Sequence, residues 1–238
     1  AKGGTEAVQA FEQANSAGVD AIYNLANDIG NGSLDAALKE AGDANRPVVT
    51  VWGGQRTGSY SITGLEFQSA ARVGQYLIDK IAAENGGAAA GDVLVVNARV
   101  TPSLRQRADA FTAMVGEDTE YPDIKVTSVE VDISNALADA QAKVEQAFQA
   151  NPKIKAVFAS FDTLGQGAAT AVDASGTDAF VVSFNGDSTA LDMIRSGKSF
   201  KATAGNDLEG TGALACELLA KLLAGETPEA TTFWMDSP

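Results

Sequence analysis

Ala156-Val157-Phe158-Ala159 runs into Ser160-Phe161-Asp162, a helical stretch follows from Thr163 to Ala174, and Phe180-Val181-Val182-Ser183-Phe184 comes after Gly176. Both short runs are apolar at consecutive positions, as expected of strands covered on two faces. The intervening stretch is long enough to serve as the crossover helix between parallel strands. The rhythm continues in both directions. Ala21-Ile22-Tyr23, Pro47 to Trp52, Val93 to Val96 and Val126 to Val131 read as further strands. Helical spacing marks Thr5 to Ala17, Ser33 to Ala44, Glu66 to Glu84, Ser103 to Val115, Asn135 to Ala150, Ser188 to Ser196 and Asp207 to Leu223. Gly18, Gly86-Gly87, Asn151-Pro152, Gly176, Gly197 and Gly225 fall where helices should stop, and Asp187 and Ser188 read as N-caps. Repeated β-α units of this kind predict a doubly wound α/β fold. Only Gly53-Gly54-Gln55-Arg56-Thr57-Gly58-Ser59 breaks the pattern, as a loop or as a crossover between two lobes.

Composition narrows the chemistry. The chain has 238 residues, a formal charge of −14 and no histidine. Without histidine, Ser-His and Cys-His catalysis, the usual zinc and haem ligand sets and the commonest general base are all excluded. The acidic balance disfavours nucleic acid and anionic lipid as partners. No stretch reaches the roughly 20 continuous apolar residues of a membrane span. Cys216, the sole cysteine, lies in Leu214-Ala215-Cys216-Glu217-Leu218 and reads as core filler. Gly165-Gln166-Gly167 lacks the dinucleotide pattern, and Asp118 to Asp123 lacks calcium-loop spacing. No cofactor is expected, and no carboxylate spacing marks a glycosidase pair.

Several segments resemble the ribose-type periplasmic sugar-binding proteins, whose fold is shared with the effector cores of the lactose-repressor group. They are Gly18-Val19-Asp20-Ala21-Ile22-Tyr23-Asn24, Arg46 to Trp52, Ser103-Leu104-Arg105-Gln106-Arg107-Ala108-Asp109-Ala110-Phe111 and Ala156 to Asp162. Val181 to Gly186, followed by Ala190 to Gly197, completes the set. Their order covers nearly the whole chain. The resemblance implies two doubly wound parallel-sheet lobes joined by a three-strand hinge, the type I periplasmic binding fold. The first lobe is placed at 1–63 plus 206–230 and the second at 64–205 plus 231–238. It also implies a strand-helix-strand unit of roughly fifty residues ahead of Thr5, so the first lobe is expected to be incomplete.

Ligands of such sheets lie beyond the carboxyl ends of the strands. There the resemblance places Arg105 at a position where the family uses an arginine, with a salt-bridged helix surface as the alternative. Arg107, two residues on, is read as structural. Asn185 stands where many relatives have aspartate, and Asn206 matches a polar ligand position; a turn and a helix cap are their respective alternatives. Trp52 replaces an acidic residue and Phe161 an asparagine, while Asp162 keeps the adjacent acid. The two aromatics trade polar contacts for ring stacking, though Trp52 also suits a core. Asn24, together with Asn27, lines the same mouth or forms a turn. Glu66 contacts ligand or caps its helix.

The function implied is a non-enzymatic, extracytoplasmic solute-binding protein of an ABC importer, a monomer that captures a small sugar or polyol by hinge closure. Its other partners would be the permease and a chemoreceptor. The competing reading is the effector-binding core of a lactose-repressor-type regulator. An enzyme on the same scaffold has the least support.

Overall fold

The computed structural model describes residues 4–117 and 120–236. The outermost positions of the expected lobes and Asp118 of the acidic run lie outside the described residues. The chain divides into two compact units. The first takes in the residues up to Leu65, Val100–Ser103 and those from Asp207 on, and the second Glu66–Arg99 and Leu104–Asn206.

The first unit opens with α1 (Gly4–Ser16), β1 (Ile22–Leu25), α2 (Asp35–Asp43), β2 (Val48–Val51) and β3 (Tyr60–Gly64). The chain continues with α3 (Glu66–Glu84), β4 (Gly91–Asn97), α4 (Pro102–Glu117), β5 (Ile124–Glu130) and α5 (Ala136–Ala150). Then come β6 (Ile154–Ala159), α6 (Asp162–Ser175), β7 (Phe180–Asn185), α7 (Ser188–Arg195) and β8 (Phe200–Gly205). It returns to the first unit with α8 (Leu208–Leu223) and β9 (Thr232–Met235).

In the first unit the strands lie in the order β1-β2-β3-β9, every neighbouring pair parallel. β2 is buried along its whole length, and its residues alternate between two cores. Val48 packs with Phe11, Ile22, Leu34 and Leu38, while Val49 and Val51 pack with Ile62, Ala215 and Leu218 on the opposite face. β1, at the edge, exposes Tyr23 (47%) and Leu25 (51%) on one face. Residues 231–238 were expected in the second lobe. Instead β9 pairs with β3 from Ser61↔Thr232 to Gly64↔Met235 and takes up the hydrogen-bonding edge that β3 would otherwise leave open. Both tryptophans are in this unit, Trp52 just after β2 and Trp234 on β9.

The second unit holds a five-stranded parallel sheet in the order β5-β4-β6-β7-β8. β4, β6 and β7 carry the continuous apolar runs, and helices cover both faces. α3 and α4 pack over Val93, Val95, Phe158 and Phe184. α5 and α6 pack over Leu94, Val96, Val157 and Val181. Phe158 anchors the first of these cores, stacked on Phe111 (4.5 Å, 12°) and meeting Phe184 edge-on (5.3 Å, 65°). On the other face α6 lies so close to α5 that a Cβ on Gly167 would come within 2.3 Å of the Leu137 carbonyl oxygen. Because every strand is parallel, their carboxyl ends gather along one rim of the sheet.

β3 and β8 carry no strand signature in the sequence. Both are short of apolar runs: Tyr60-Ser-Ile-Thr-Gly and Phe200-Lys-Ala-Thr-Ala-Gly. Asp187 occupies the N-cap position of α7 as expected, but its side chain makes no capping hydrogen bond.

Candidate functional site

At the carboxyl rim of the second unit's sheet, Arg107 is the centre of a buried polar group. Its Nε donates to Glu66 Oε2 at 2.6 Å, and the two side chains are only 4% and 1% exposed. Nη1 donates to the Ser160 carbonyl oxygen (3.0 Å) and to Asn185 Oδ1 (3.1 Å). The guanidinium carbon lies 4.9 Å from the centre of the Phe184 ring. Asn185 Oδ1 also accepts from Asn206 Nδ2 at 3.1 Å, and the Asn206 backbone N–H donates to the Asn185 carbonyl (3.2 Å).

Local sequence explains the assembly. Arg107 and Phe111 are four residues apart on α4, so both face the sheet. Glu66 opens α3, where the helix dipole favours a negative charge, and α3 covers the same sheet face. Asn185 ends β7 with φ of +122°, a left-handed conformation that turns its amide back toward α4. Asp207 caps α8 with its own side chain, donated to by the Gly210 N–H at 2.8 Å. Asn206 is therefore free of the capping role.

Several buried polar atoms on this rim have no hydrogen-bond partner among the described residues: Glu66 Oε1, both amide atoms of Asn97 and Ser160 Oγ. Asn97 and Ser160 end adjacent strands and lie side by side, since Val96 pairs with Ala159 and the Ser160 N–H donates to the Val96 carbonyl. Buried groups of this sort are costly unless water or a bound molecule satisfies them.

The arginine of this group is Arg107, the one the sequence assigns a structural part; Arg105, the one expected at the ligand, stands outside it. Arg105 lies two residues away, on another face of α4, where Nη1 donates to the Arg99 carbonyl at 3.0 Å beside the Arg99–Asp109 pair. The spacing to Phe111 was the available signal, because it sends position 107 rather than 105 toward the core.

Asp162, also expected at the ligand, is buried within a hydrogen-bond network of its own. It is 0% exposed, and both carboxylate oxygens are taken. Oδ1 accepts from Ser183 Oγ and from Thr203 Oγ1 (2.7 Å), and Oδ2 from the Asp187 N–H (2.7 Å). Burial raises its pKa above the ordinary carboxylate value, and these hydrogen bonds offset part of the shift. Phe161, at the N-cap of α6, is half-buried against the α5/α6 core.

In the first unit, Trp52 packs on the core of Val49, Val51 and Ile62. Asn24 is 2% exposed and closes a turn. Its Nδ2 donates to the Asn27 carbonyl (3.0 Å) and Thr50 Oγ1 (2.8 Å), and its Oδ1 accepts from Asn27 Nδ2 (2.9 Å). The turn folds so tightly that a Cβ on Gly53 would meet the Asn27 oxygen at 2.4 Å. These bonds give Asn24 the turn that is one of its two expected readings.

A concavity of about 830 Å³ lies at the opposite end of the second unit's strands, lined by Lys80, Lys153, Lys155, Lys198 and Lys201. Helix carboxyl ends collect there, and lysines complement their partial negative charge. Among the described residues, no group of three or more His, Cys, Asp or Glu side chains is arranged to hold a metal ion.

Two all-parallel, helix-covered units, one with a polar cluster at its strand ends, define an α/β ligand-binding architecture of the type I periplasmic binding protein fold. The chain belongs to the periplasmic binding protein domain family, whose model matches residues 2–227. It is 28% identical over 221 residues to the ribose import binding protein of Bacillus subtilis, covering 90% of this chain and 66% of that protein. It is 37% identical over 86 residues to the D-apiose import binding protein of Actinobacillus succinogenes, covering 36% of this chain and 27% of that one. A solute-binding protein from Agrobacterium vitis with bound allitol superimposes with a TM-score of 0.85 at 22% identity, over 98% of this chain and 79% of the other. A 5-methylthioribose-binding protein from Thermotoga lettingae gives 0.82 at 24% identity, over 99% and 72%. These two structures establish the shared fold.

Proposed function

We propose that this protein is the solute-binding component of an ABC importer, working outside the cytoplasm and holding a small neutral sugar or polyol without transforming it. The observation that carries the reading is the Arg107 cluster. Glu66 balances the guanidinium charge, so the rim presents directed hydrogen bonding without a net charge from the pair. Asn185 Nδ2 and Asn206 Oδ1 make no hydrogen bond to the described residues, which leaves a donor beside an acceptor. A sugar hydroxyl both donates and accepts and suits such a pair. The half-buried ring of Phe161 supplies an apolar surface for the C–H face of a sugar. The names of the two import binding proteins, for ribose and D-apiose, support a carbohydrate over other solutes and import over gene regulation.

The test is a calorimetric thermal-shift screen against pentoses, hexoses and polyols, with amino acids and nucleosides alongside. A ligand at 100 times its dissociation constant adds about 2.7 kcal/mol of stability, which is readily seen. Within that screen Arg107→Lys should weaken binding by about 1.5–3 kcal/mol, the range for hydrogen bonds to charged groups, and Arg105→Ala should leave it nearly unchanged. Silence from every carbohydrate, with a response to an amino acid or nucleoside, overturns the choice of ligand class.

A further inference from the structure

We infer that Asp162 is a positioning residue for the ligand-side amide of Asn185, which it holds through the turn that follows β7. The inference rests on the proposed sugar-binding reading for its functional consequence, though not for its structural content.

The turn begins with two consecutive residues at positive φ, Asn185 at +122° and Gly186 at +76°. For a non-glycine residue such a conformation is unfavourable and persists only where surrounding structure enforces it. Asn185 itself pairs with Gly205 on β8 and accepts the Asn206 N–H, and the amides beyond it are held through one carboxylate. Oδ2 of Asp162 accepts the Asp187 N–H (2.7 Å), fixing the far side of the turn. Oδ1 accepts the Thr203 hydroxyl (2.7 Å), and Thr203 Oγ1 in turn accepts the Gly186 N–H (3.2 Å). Ser183, two residues before the turn on β7, donates to the same Oδ1.

Both backbone amides after Asn185 are thus tied, directly or through one hydroxyl, to Asp162. If they were released, the turn would relax toward right-handed geometry and the Asn185 amide would leave Arg107 Nη1 and Asn206 Nδ2. Asp162 itself meets no ligand, because it is wholly buried and both oxygens are occupied. A buried carboxylate is also a poor choice for stability alone, since an apolar side chain would avoid its desolvation. Its place in the molecule is explained by the conformation it imposes on its neighbours.

Asp162→Asn separates these roles. The amide oxygen can still accept from Ser183 and Thr203, but the NH2 group then faces the Asp187 N–H, donor against donor. Thr203→Val, of similar shape, removes the acceptor for the Gly186 N–H. Amide exchange of the full chain, read residue by residue by NMR without ligand, should accelerate about tenfold or more at Asp187 in the first variant and at Gly186 in the second, with β4 amides unchanged. Unchanged exchange at 186 and 187, or acceleration spread equally over β4, β6 and β7, overturns the proposal.

Binding of D-ribose, D-apiose and allitol then tests the consequence in a double-mutant cycle with Asn185→Ala. Asp162→Asn should weaken binding about tenfold in the parent and not further in the Asn185→Ala background. An equal loss in both backgrounds refutes action through Asn185. A parent protein that binds no sugar sinks the sugar reading instead, while the exchange result still decides the structural claim.

Discussion

Replacing Arg107 by methionine removes one half of an ion pair whose members are 4% and 1% exposed. Methionine keeps much of the side-chain volume, so the cost is electrostatic rather than a cavity. Glu66 is left as a buried charge, with Oε2 stripped of its donor and Oε1 already unpartnered. Breaking such a pair from one side costs about 3–5 kcal/mol. The Ser160 carbonyl loses the Arg107 hydrogen bond, and the contact with the Phe184 ring is lost as well. With a urea m-value of about 2–3 kcal/mol/M, the midpoint should fall by roughly 1–2.5 M. The companion Arg107→Met/Glu66→Leu variant removes both charges and should regain most of that loss, because two apolar side chains replace a buried pair at little cost.

The assay is urea unfolding at neutral pH followed by far-UV circular dichroism, with ligand binding measured on the same samples. The double variant should be stable yet fail to bind, which separates the fold from the site. A single variant whose midpoint drops by less than roughly 0.3 M would mean the pair is solvated rather than buried. A double variant as unstable as the single one would show that an uncompensated charge is not the cause.

Phe158→Ala removes a ring that is 0% exposed and contacts both Phe111 and Phe184, and it should cost about 3–5 kcal/mol in the same urea measurement. Acid should act on two carboxylates with opposite sign. The Asp109 pKa is lowered below 3.8, chiefly by its hydrogen bond from Arg99, so its contribution is present above that unfolded value and lost as pH falls through the folded one. The Asp162 pKa is raised above 3.8 by burial, so its contribution is complete below that value and lost as pH rises through the folded one. Urea midpoints measured from about pH 3 to 6 should show Asp109→Asn flattening the acid limb and Asp162→Asn flattening the limb above about pH 4. Parallel profiles for parent and variants would refute the assignments.

The central strands were legible because burial on two faces leaves a continuous apolar signature, as in Val93 to Val96 and Phe180 to Phe184. β8, at the edge of its sheet, lacks it. It is half-buried along nearly its whole length and gathers no apolar run. Asn185 and Asn206 are singled out by the resemblance to the ribose-type family, and the structure places both at the carboxyl rim beside Arg107. Arg107 was reachable in principle, through its four-residue spacing from Phe111. The part played by Asp162 was not, since its hydroxyl partners stand 21 and 41 positions away and only the folded sheet brings them to one carboxylate.

The placement of Trp52 and Trp234 in one unit has a practical consequence for anyone searching for the solute. Indole emission reports the surroundings of the indole, and the unit that carries Arg107, Asn185 and Asn206 contains no tryptophan. A quenching titration therefore reads no indole within that unit, and a flat trace is not by itself evidence against binding there. A tryptophan introduced in place of Tyr76 on α3, whose side chain is 42% exposed, would give the silent unit an optical voice.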